Sequence, residues 1–192
     1  MFTERQEQIV KTAIKLIANK GIQNLTTKNL AKEIGISEPA LYRHFDNKLE
    51  ILKGVIHYFQ ITMKPAFDKM RESDQPIKQV RLLFVTHLQI FSNNSDFAKI
   101  FFSESNFQNE EVLMTSMNKI MSSSRKELEK IIIAGQKNNE IRSDISSISI
   151  LRMIIGSMRF LVTQWSISGM IFDLENEGNQ LWNDFQKIIV AK

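Results

Sequence analysis

The residues best suited to chemistry lie between Thr26 and Phe45, and they are groups that donate hydrogen bonds or attract anions. The segment reads Thr-Thr-Lys-Asn-Leu-Ala-Lys-Glu-Ile-Gly-Ile-Ser-Glu-Pro-Ala-Leu-Tyr-Arg-His-Phe. Hydroxyls, cations and flat rings with one acid among them form the polar set Thr27, Lys28, Ser37, Glu38, Tyr42, Arg43 and His44. Such groups contact phosphate, as do the bare N–H groups of a helix N-terminus. The segment is therefore a candidate polyanion-binding surface.

Two short helices joined by a tight turn would hold these groups in place. Thr26 and Ser37 are residue types that cap helix N-termini, and Gly35 suits the turn between the helices. The apolar residues share the face opposite the polar set; they are Leu30, Ala31, Ile34, Ile36, Leu41 and Phe45. The pattern predicts a helix-turn-helix over about residues 26–45.

The remainder of the chain also has the periodicity of helices. Apolar positions recur every three or four residues, and only 3 prolines and 7 glycines interrupt 192 residues. We expect a first helix from about Thr3 to Asn19 and a fourth from Asp46 or Asn47, which Pro65 bends or breaks near Lys64. Five more helices are expected at about 77–92, 96–103, 109–137, 144–168 and 175–190. The predicted fold class is all-α, with about nine helices.

The helix-turn-helix resembles that of the TetR/AcrR family of bacterial transcriptional regulators. The matching parts are Thr26-Thr27, Gly35-Ile36-Ser37, Leu41-Tyr42-Arg43-His44-Phe45 and Lys48, with the spacing intact over roughly residues 5–55. Several parts at fixed offsets are more specific than one short motif. The resemblance implies a TetR-like fold, with a DNA-binding domain at residues 1–50 and a helical effector-binding and dimerisation domain at 51–192.

The resemblance also implies roles for individual residues. Contacts to the phosphate backbone are implied for Thr27, Tyr42, His44 and Lys48. Positions near base edges in the major groove are implied for Ser37, Glu38 and Pro39, with Lys28 and Arg43 as further candidates. Backbone contacts set the register on DNA, and base-edge contacts select the sequence.

Two of these residues have a second interpretation. Tyr42 is either a phosphate contact, which its neighbours favour, or a half-buried helix aromatic. Glu38 either accepts a hydrogen bond from a cytosine amino group or only favours the N-terminus of its own helix. Since other family members often carry Lys or Gly where Glu38 and Pro39 stand, the resemblance does not imply an operator sequence.

The second half is rich in Phe and Met at helical spacing. Most such stripes are core, in which Met fills irregular gaps, and we favour that interpretation for most of these positions. The alternative is a pocket for a small apolar effector. Its candidate residues are Met63, Phe67, Phe84, His87, Phe91, Met117, Met121, Met158 and Trp165.

The last two predicted helices carry apolar residues on more than one face. A helix that is apolar on two faces needs two covers, and the economical second cover is an identical chain. Two helices from each subunit would then form a four-helix, two-fold interface, which the family resemblance also implies. The predicted interface residues are Ile154, Met158, Leu161, Trp165, Leu181, Trp182, Phe185 and Ile189.

Charge and composition narrow the function classes. Residues 1–55 hold 9 Lys/Arg against 6 acids, whereas the remainder holds 16 against 15, so the basic excess lies beside the helix-turn-helix. Cysteine is absent, which excludes disulfides and thiolate chemistry. No ligand-spaced histidines, Gly-rich phosphate loop or nucleophile motif occurs, so we predict no metal, no cofactor and no enzyme. Neither a membrane span nor a secretory signal is expected, which favours the cytoplasm.

These features lead to one main hypothesis and one alternative. The main hypothesis is a sequence-specific repressor that binds a palindromic double-stranded operator as a homodimer and is released by an apolar effector. The shared fourth helix would transmit the effect of ligand binding to the reading heads, which are the helix-turn-helix segments of the two subunits. The alternative is a nucleoid-associated or cell-division factor that uses the same fold to bind DNA without regulating transcription.

Overall fold

The computed structural model describes residues 2–101 and 111–191, in which helices are joined by turns and loops and no strand occurs. They form nine α-helices, which confirms the all-α prediction. The helices are α1 Glu4–Lys20, α2 Thr27–Ile34, α3 Glu38–Tyr42, α4 Lys48–Met70, α5 Pro76–Asn93, α6 Ser95–Phe101, α7 Glu111–Lys137, α8 Ser147–Ile167 and α9 Leu174–Ile189. A single 3-10 turn at Ile22–Asn24, which the sequence pattern did not predict, follows α1. No described helix has the length and apolarity required to cross a bilayer.

Helix α4 corrects one expectation, because it continues through Pro65 to Met70 without a break. A proline inside a helix removes one backbone hydrogen bond and crowds the preceding turn. Pro65 lies on the exposed side of α4, where water can satisfy the backbone carbonyl that loses its partner. The break predicted near Lys64 therefore does not occur.

The chain divides into two compact units. The first comprises Met1–Ile61 and Asp96–Met117, and the second comprises Thr62–Ser95 and Asn118–Lys192. Both units take part of α4, because the division falls between Ile61 and Thr62. The predicted division at residue 50 was drawn by function, between the DNA-binding segment and the rest of the chain. The two compact units are instead defined by which residues pack together.

The first unit is built on contacts of α1 with α2 and of α2 with α3. The predicted mini-core residues Leu30, Ala31 and Leu41 are buried, as is Phe45. Gly54 brings α4 close to this core, since a Cβ at that position would lie 3.0 Å from Val10 Cγ2 and 3.3 Å from Phe45 Cε1. Phe45, at the end of the helix-turn-helix, is thereby held between α1 and α4.

The second unit is organised around α5, which packs on α8 and α9, while α8 also packs on α9. Trp182 of α9 has no exposed surface, and its ring centroid lies 5.6 Å from that of Phe84 and 6.4 Å from that of Phe185. Near the C-terminus, Ile141 and Val190 form an isolated antiparallel bridge. Burial of these large rings stabilises the unit by removing apolar surface from water.

Burial within one chain corrects part of the predicted dimer interface. Six of the eight predicted side chains are buried in their own chain: Ile154, Leu161, Trp165, Trp182, Phe185 and Ile189. Trp182 and Ile189 have no exposed surface at all, so a second chain has nothing to cover there. Met158 and Leu181 remain partly exposed. The sequence pattern identified the apolar helices and took their core face for the interface.

A different face of α8 is exposed and apolar. Met153, Phe160 and Ile167 are 37%, 70% and 82% exposed, and their spacing of seven residues places them on one face, together with Gly156. On α9, Leu181 and Ile188 are also seven residues apart and retain exposed surface. A monomer in water would leave this apolar surface uncovered.

The predicted effector-pocket residues occupy varied environments. Met63, Phe84, Phe91 and Trp165 are buried, whereas Met121 is exposed. Met117 belongs to the first unit and the other eight to the second. Two of them lie close together, since the Phe67 and His87 rings meet edge to face with centroids 5.6 Å apart.

Candidate nucleic-acid interface

Three side-chain caps determine where the helices of the candidate interface begin. Thr26 Oγ1 accepts the Asn29 backbone N–H at 3.1 Å, and Ser37 Oγ accepts that of Ala40 at 3.3 Å. Asn47 Oδ1 accepts the Glu50 N–H at 3.0 Å at the start of α4. Each cap satisfies an N–H group that has no partner within its helix. These local bonds fix the first residues of α2, α3 and α4.

The turn between α2 and α3 depends on Gly35. Its backbone is left-handed, with φ +79° and ψ +36°, a conformation that costs glycine little because it has no Cβ. The Gly35 N–H donates to the Ala31 and Lys32 carbonyls, and the Ile36 N–H donates to Ala31 O at 2.9 Å. These bonds satisfy carbonyls at the end of α2 and direct the chain into α3.

All nine residues predicted to contact DNA belong to the first unit, and none of them is buried. Five are exposed: Lys28, Ser37, Pro39, Tyr42 and Arg43. The other four are partly exposed: Thr27, Glu38, His44 and Lys48. The surface around α3 thus combines hydroxyl donors and cations, which suits contact with a polyanion.

Ion pairs hold three acids of residues 1–55, which are Glu7, Glu33 and Glu50. Lys11 Nζ lies 2.7 Å from Glu7, Lys20 Nζ lies 3.7 Å from Glu33, and Lys53 Nζ lies 2.7 Å from Glu50. The hydrogen bond that Lys11 donates to Glu7, followed by its hydrogen bond with Tyr58, raises the pKa of Lys11 above its usual value. Within the described residues, Lys28 and Arg43 enter no such pair.

A hydrogen-bonded chain joins α2 to α3 inside the candidate interface. Thr27 Oγ1 donates to Glu38 Oε2 at 2.9 Å, and the Tyr42 hydroxyl lies 3.4 Å from Thr27 Oγ1. Of the residues that the family resemblance assigns to phosphate, Thr27 therefore contacts a carboxylate within the chain, and Tyr42 contacts the Thr27 hydroxyl. Sequence spacing did not indicate this arrangement, because it depends on how α2 and α3 face each other.

Gln6 also contributes to the interface, although it was not among the residues predicted from the sequence. Its Oε1 accepts the Thr3 backbone N–H at 3.0 Å, and its Nε2 donates to the His44 carbonyl at 3.2 Å. Thr3 Oγ1 accepts the Gln6 N–H in return, which completes a capping box. The pattern Thr-x-x-Gln at Thr3 was the available signal. The Gln6 amide thus connects the start of α1 to His44, near the end of the helix-turn-helix.

Two family models match the chain and together span most of it. Residues 9–55 match the model of bacterial regulatory proteins of the tetR family. Residues 59–189 match the model of the C-terminal region of YsiA-like proteins. The first match covers the candidate interface and the second covers more than half of the chain.

Among curated relatives, the nucleoid occlusion factor SlmA of Vibrio campbellii (strain ATCC BAA-1116) is 24% identical over 166 residues, covering 83% of this chain and 85% of the relative. The SlmA protein of Vibrio cholerae serotype O1 is 23% identical over 164 residues, covering 82% and 84%. Both alignments extend well beyond the helix-turn-helix.

Solved structures show the same fold. The fatty acid degradation regulator FadR from Bacillus halodurans has a TM-score of 0.82 at 20% identity, with 97% of this chain and 96% of that chain covered. FadR from Bacillus subtilis in complex with stearoyl-CoA has a TM-score of 0.80 at 22% identity, with 93% and 96% covered. The ketosteroid regulator KstR2 of Mycobacterium tuberculosis has a TM-score of 0.81 at 17% identity, with 100% and 98% covered.

Proposed function

The chain belongs to the TetR family of bacterial regulatory proteins, which bind DNA through a helix-turn-helix, and we propose that it is a ligand-released repressor acting as a dimer on a palindromic operator. One observation carries this proposal. The capped helices α2 and α3 present hydroxyls and cations on one surface. The nearby acids Glu7, Glu33 and Glu50 form ion pairs with lysines that are not among the proposed contact residues. Such a repressor would act in the cytoplasm, where the chromosome lies.

The proposed DNA contacts fall into two groups. Thr27, Tyr42, His44 and Lys48 would hold the phosphate backbone, and the residues from Ser37 to Pro39, with Lys28 and Arg43, would lie at base edges. Backbone contacts are largely independent of sequence, whereas base-edge contacts discriminate between bases. Substitutions in the two groups should therefore differ in their effect on sequence preference.

The test of DNA binding is its dependence on salt. A palindromic duplex is selected from a random-sequence pool on the wild-type protein, and its affinity is measured by fluorescence anisotropy at several salt concentrations. Each phosphate neutralised by Lys or Arg releases counterions, so affinity should fall steeply with salt. Lys48→Ala should weaken all duplexes alike and reduce the slope by about 2 for a dimer, since each contact contributes about 0.9. A flat salt profile would exclude the proposal.

The dimer is proposed to form through the exposed apolar faces of α8 and α9. Met153, Phe160 and Ile167 on α8, with Leu181 and Ile188 on α9, offer a self-complementary surface. Four helices, two from each chain, would cover it. Half-sites one helical turn apart need reading heads separated by about 34–36 Å, which a two-fold dimer can provide.

The effector is proposed to be a small apolar molecule bound among the Phe and Met residues of the second unit. His87 supports this idea, because its Nδ1 lies 2.8 Å from the Leu83 carbonyl, which can only accept. Nδ1 therefore carries the proton in the neutral ring, and Nε2 remains an acceptor. Burial lowers the pKa of His87 and so favours the neutral ring, which suits an apolar site.

Long-chain acyl-CoA is the first effector to test, because the FadR structure from Bacillus subtilis holds stearoyl-CoA. Stearoyl-CoA is titrated into the free protein and into the protein–duplex complex. A ligand that weakens DNA binding must bind the DNA-bound form less tightly by the same factor. Equal affinities would show that the compound does not regulate DNA binding. An effector that shifts the equilibrium would change the spacing of the reading heads through α4.

The second candidate function is nucleoid association, which the names of the SlmA relatives favour. Immunoprecipitation of the protein with chromosomal DNA separates the two candidates. One or a few sites near promoters, with altered transcription on deletion of the protein, would support the repressor. Many scattered sites without transcriptional change would support a nucleoid factor.

A further inference from the structure

The chain of hydrogen bonds through Thr27, Glu38 and Tyr42 has a defined direction. A carboxylate only accepts hydrogen bonds, so the hydroxyl of Thr27 must donate its single proton to Glu38 across 2.9 Å. The oxygen of Thr27 is then an acceptor, and the Tyr42 hydroxyl at 3.4 Å must be the donor to it. The Thr27 hydroxyl of the candidate interface is thus occupied by a negative charge of the same chain, and the Tyr42 hydroxyl donates to Thr27.

The same donors are needed for a phosphate. A phosphate oxygen accepts hydrogen bonds as a carboxylate oxygen does, and it carries the same sign of charge. The Thr27 proton cannot serve Glu38 and a phosphate at once, so binding of the DNA backbone at Thr27 must displace Glu38. Glu38 is also the one acid among the nine proposed contact residues.

We propose that Glu38 is an internal competitor of the DNA backbone and a specificity-determining residue, an inference that rests on the proposed DNA-binding function. In the free protein its carboxylate accepts the hydrogen bond of the Thr27 hydroxyl. On DNA the carboxylate is displaced toward the duplex, where it needs a new donor. A base that presents an amino group in the major groove, such as cytosine, supplies one. A sequence without that donor leaves a carboxylate unpaired beside phosphates, which is unfavourable.

Glu38 therefore raises specificity by weakening binding to the wrong sequences. The competition for Thr27 applies to every duplex, whereas the compensating hydrogen bond forms only on the selected one. Removing the charge should strengthen binding to unrelated DNA and reduce the difference in affinity between the selected duplex and unrelated DNA. This effect is opposite in sign to the loss expected from removing an ordinary DNA contact.

Glu38→Gln tests the proposal with little change in shape. Affinity is measured at one salt concentration for the selected duplex and for a scrambled duplex of equal length and composition. Binding to the scrambled duplex should tighten by about fivefold or more, since one like-charge contact near 4 Å costs about 1 kcal/mol in water. The ratio of the two affinities should fall. An unchanged or weaker affinity for the scrambled duplex would overturn the proposal.

Glu33→Gln is the matched control, because Glu33 is an acid of α2 that pairs with Lys20 outside the proposed contact set. It changes the net charge by the same amount. Equal tightening by Glu33→Gln and Glu38→Gln would assign the effect to bulk charge and overturn the proposal. Circular dichroism verifies that both variants are folded, and Glu38→Ala provides a second variant if Glu38→Gln is not.

A double-mutant cycle with Thr27→Val examines the competition itself. Without the Thr27 hydroxyl there is no donor for Glu38 to occupy, so Glu38→Gln should tighten scrambled-duplex binding less in the Thr27→Val background than in the wild type. Equal gains in both backgrounds would exclude competition for Thr27. If the wild-type protein binds neither duplex, the proposed function fails; if it binds and Glu38→Gln has no effect, only this inference fails.

Discussion

The recognition surface of the first unit and the exposed face of α8 in the second use solvent contact in opposite ways. The residues around α3 are hydroxyls, cations and rings, which water hydrates until a charged partner replaces it. The exposed face of α8 carries Phe160 and Ile167, which are 70% and 82% exposed and unfavourable in water. The first surface suits a partner that binds and leaves, and the second suits a partner that stays.

The comparison also separates two kinds of apolar residue within the second unit. Trp182 and Phe160 are both large rings on the last two helices, but the first is fully buried and the second is exposed. One maintains the fold of a single chain, and the other is proposed to hold two chains together. Substitutions at the two positions should therefore differ in kind.

Trp182→Ala should have the largest effect on stability. The ring packs against Phe84 and Phe185 with no exposed surface, and truncation of such a ring costs about 3–5 kcal/mol. Urea unfolding at one fixed protein concentration measures the loss. The exposed neighbour Asn183→Ala serves as the control and should change stability by less than about 0.5 kcal/mol. A folded monomer of undiminished stability would instead place Trp182 in the interface.

Phe160→Asp should convert the dimer into a folded monomer. A two-fold interface contains each substituted side chain twice, so we expect the dimer dissociation constant to rise by at least about 100-fold. Sedimentation velocity measures the change, and circular dichroism verifies the fold. Ile148→Asp is the control, because Ile148 is 38% exposed on α8 but points about 120° away from Phe160. Dissociation by both variants would show that the face is wrongly assigned.

Thr26→Ala should cost about 1 kcal/mol, because the N-cap of α2 is lost. The measurement is again urea unfolding, with DNA affinity recorded in parallel. Thr12→Ala is the matched control: its hydroxyl donates to the Gln8 carbonyl inside α1 and caps nothing. If the two variants lose equal stability, local capping does not define the recognition helices.

His87 should produce the smallest effect, as a change in stability with pH. Burial lowers its pKa from 6.5 in the folded chain, so the unfolded chain binds the proton more readily. The stability contributed by the neutral ring is complete above pH 6.5 and is lost as the pH falls through the lowered pKa. The urea midpoint of the wild type should fall as the pH is lowered from about 7.5 to about 5, and the midpoint of His87→Gln should fall less. His57→Gln should leave the trend in place.

Local sequence signals predicted the recognition surface well. Thr26, Ser37 and Gly35 act within a few residues of their own position, so their types alone indicate where helices begin and turn. The predicted ends at residues 103 and 109 lie outside the described residues. The other helix ends in the second half were predicted to within a few residues, because periodicity and polar loops define them. Local signals are sufficient where the partner of a group is its neighbour in the chain.

Non-local relations could not be predicted in the same way. The apolar pattern of α8 does not state which face its own chain covers, so Ile154 and Trp165 were assigned to an interface when they are core. The contact of Thr27 with Glu38 and that of Gln6 with His44 depend on helix orientation. Pro65 was expected to bend or break α4, and the break does not occur because Pro65 lies on the exposed side of the helix, which the sequence pattern did not indicate.

The first unit is discontinuous in sequence, and this affects how the protein is made. Phe97 of α6 is buried, and its ring lies 6.1 Å from that of Tyr58 and 5.5 Å from that of Phe59. On the ribosome, 35 further residues must be added after Ile61 before Phe97 is joined to the chain. At about 5–20 residues per second this takes about 2 to 7 s. The nascent part of α4 that carries Tyr58 and Phe59 thus spends seconds without this packing partner, a period in which chaperones can bind its apolar side.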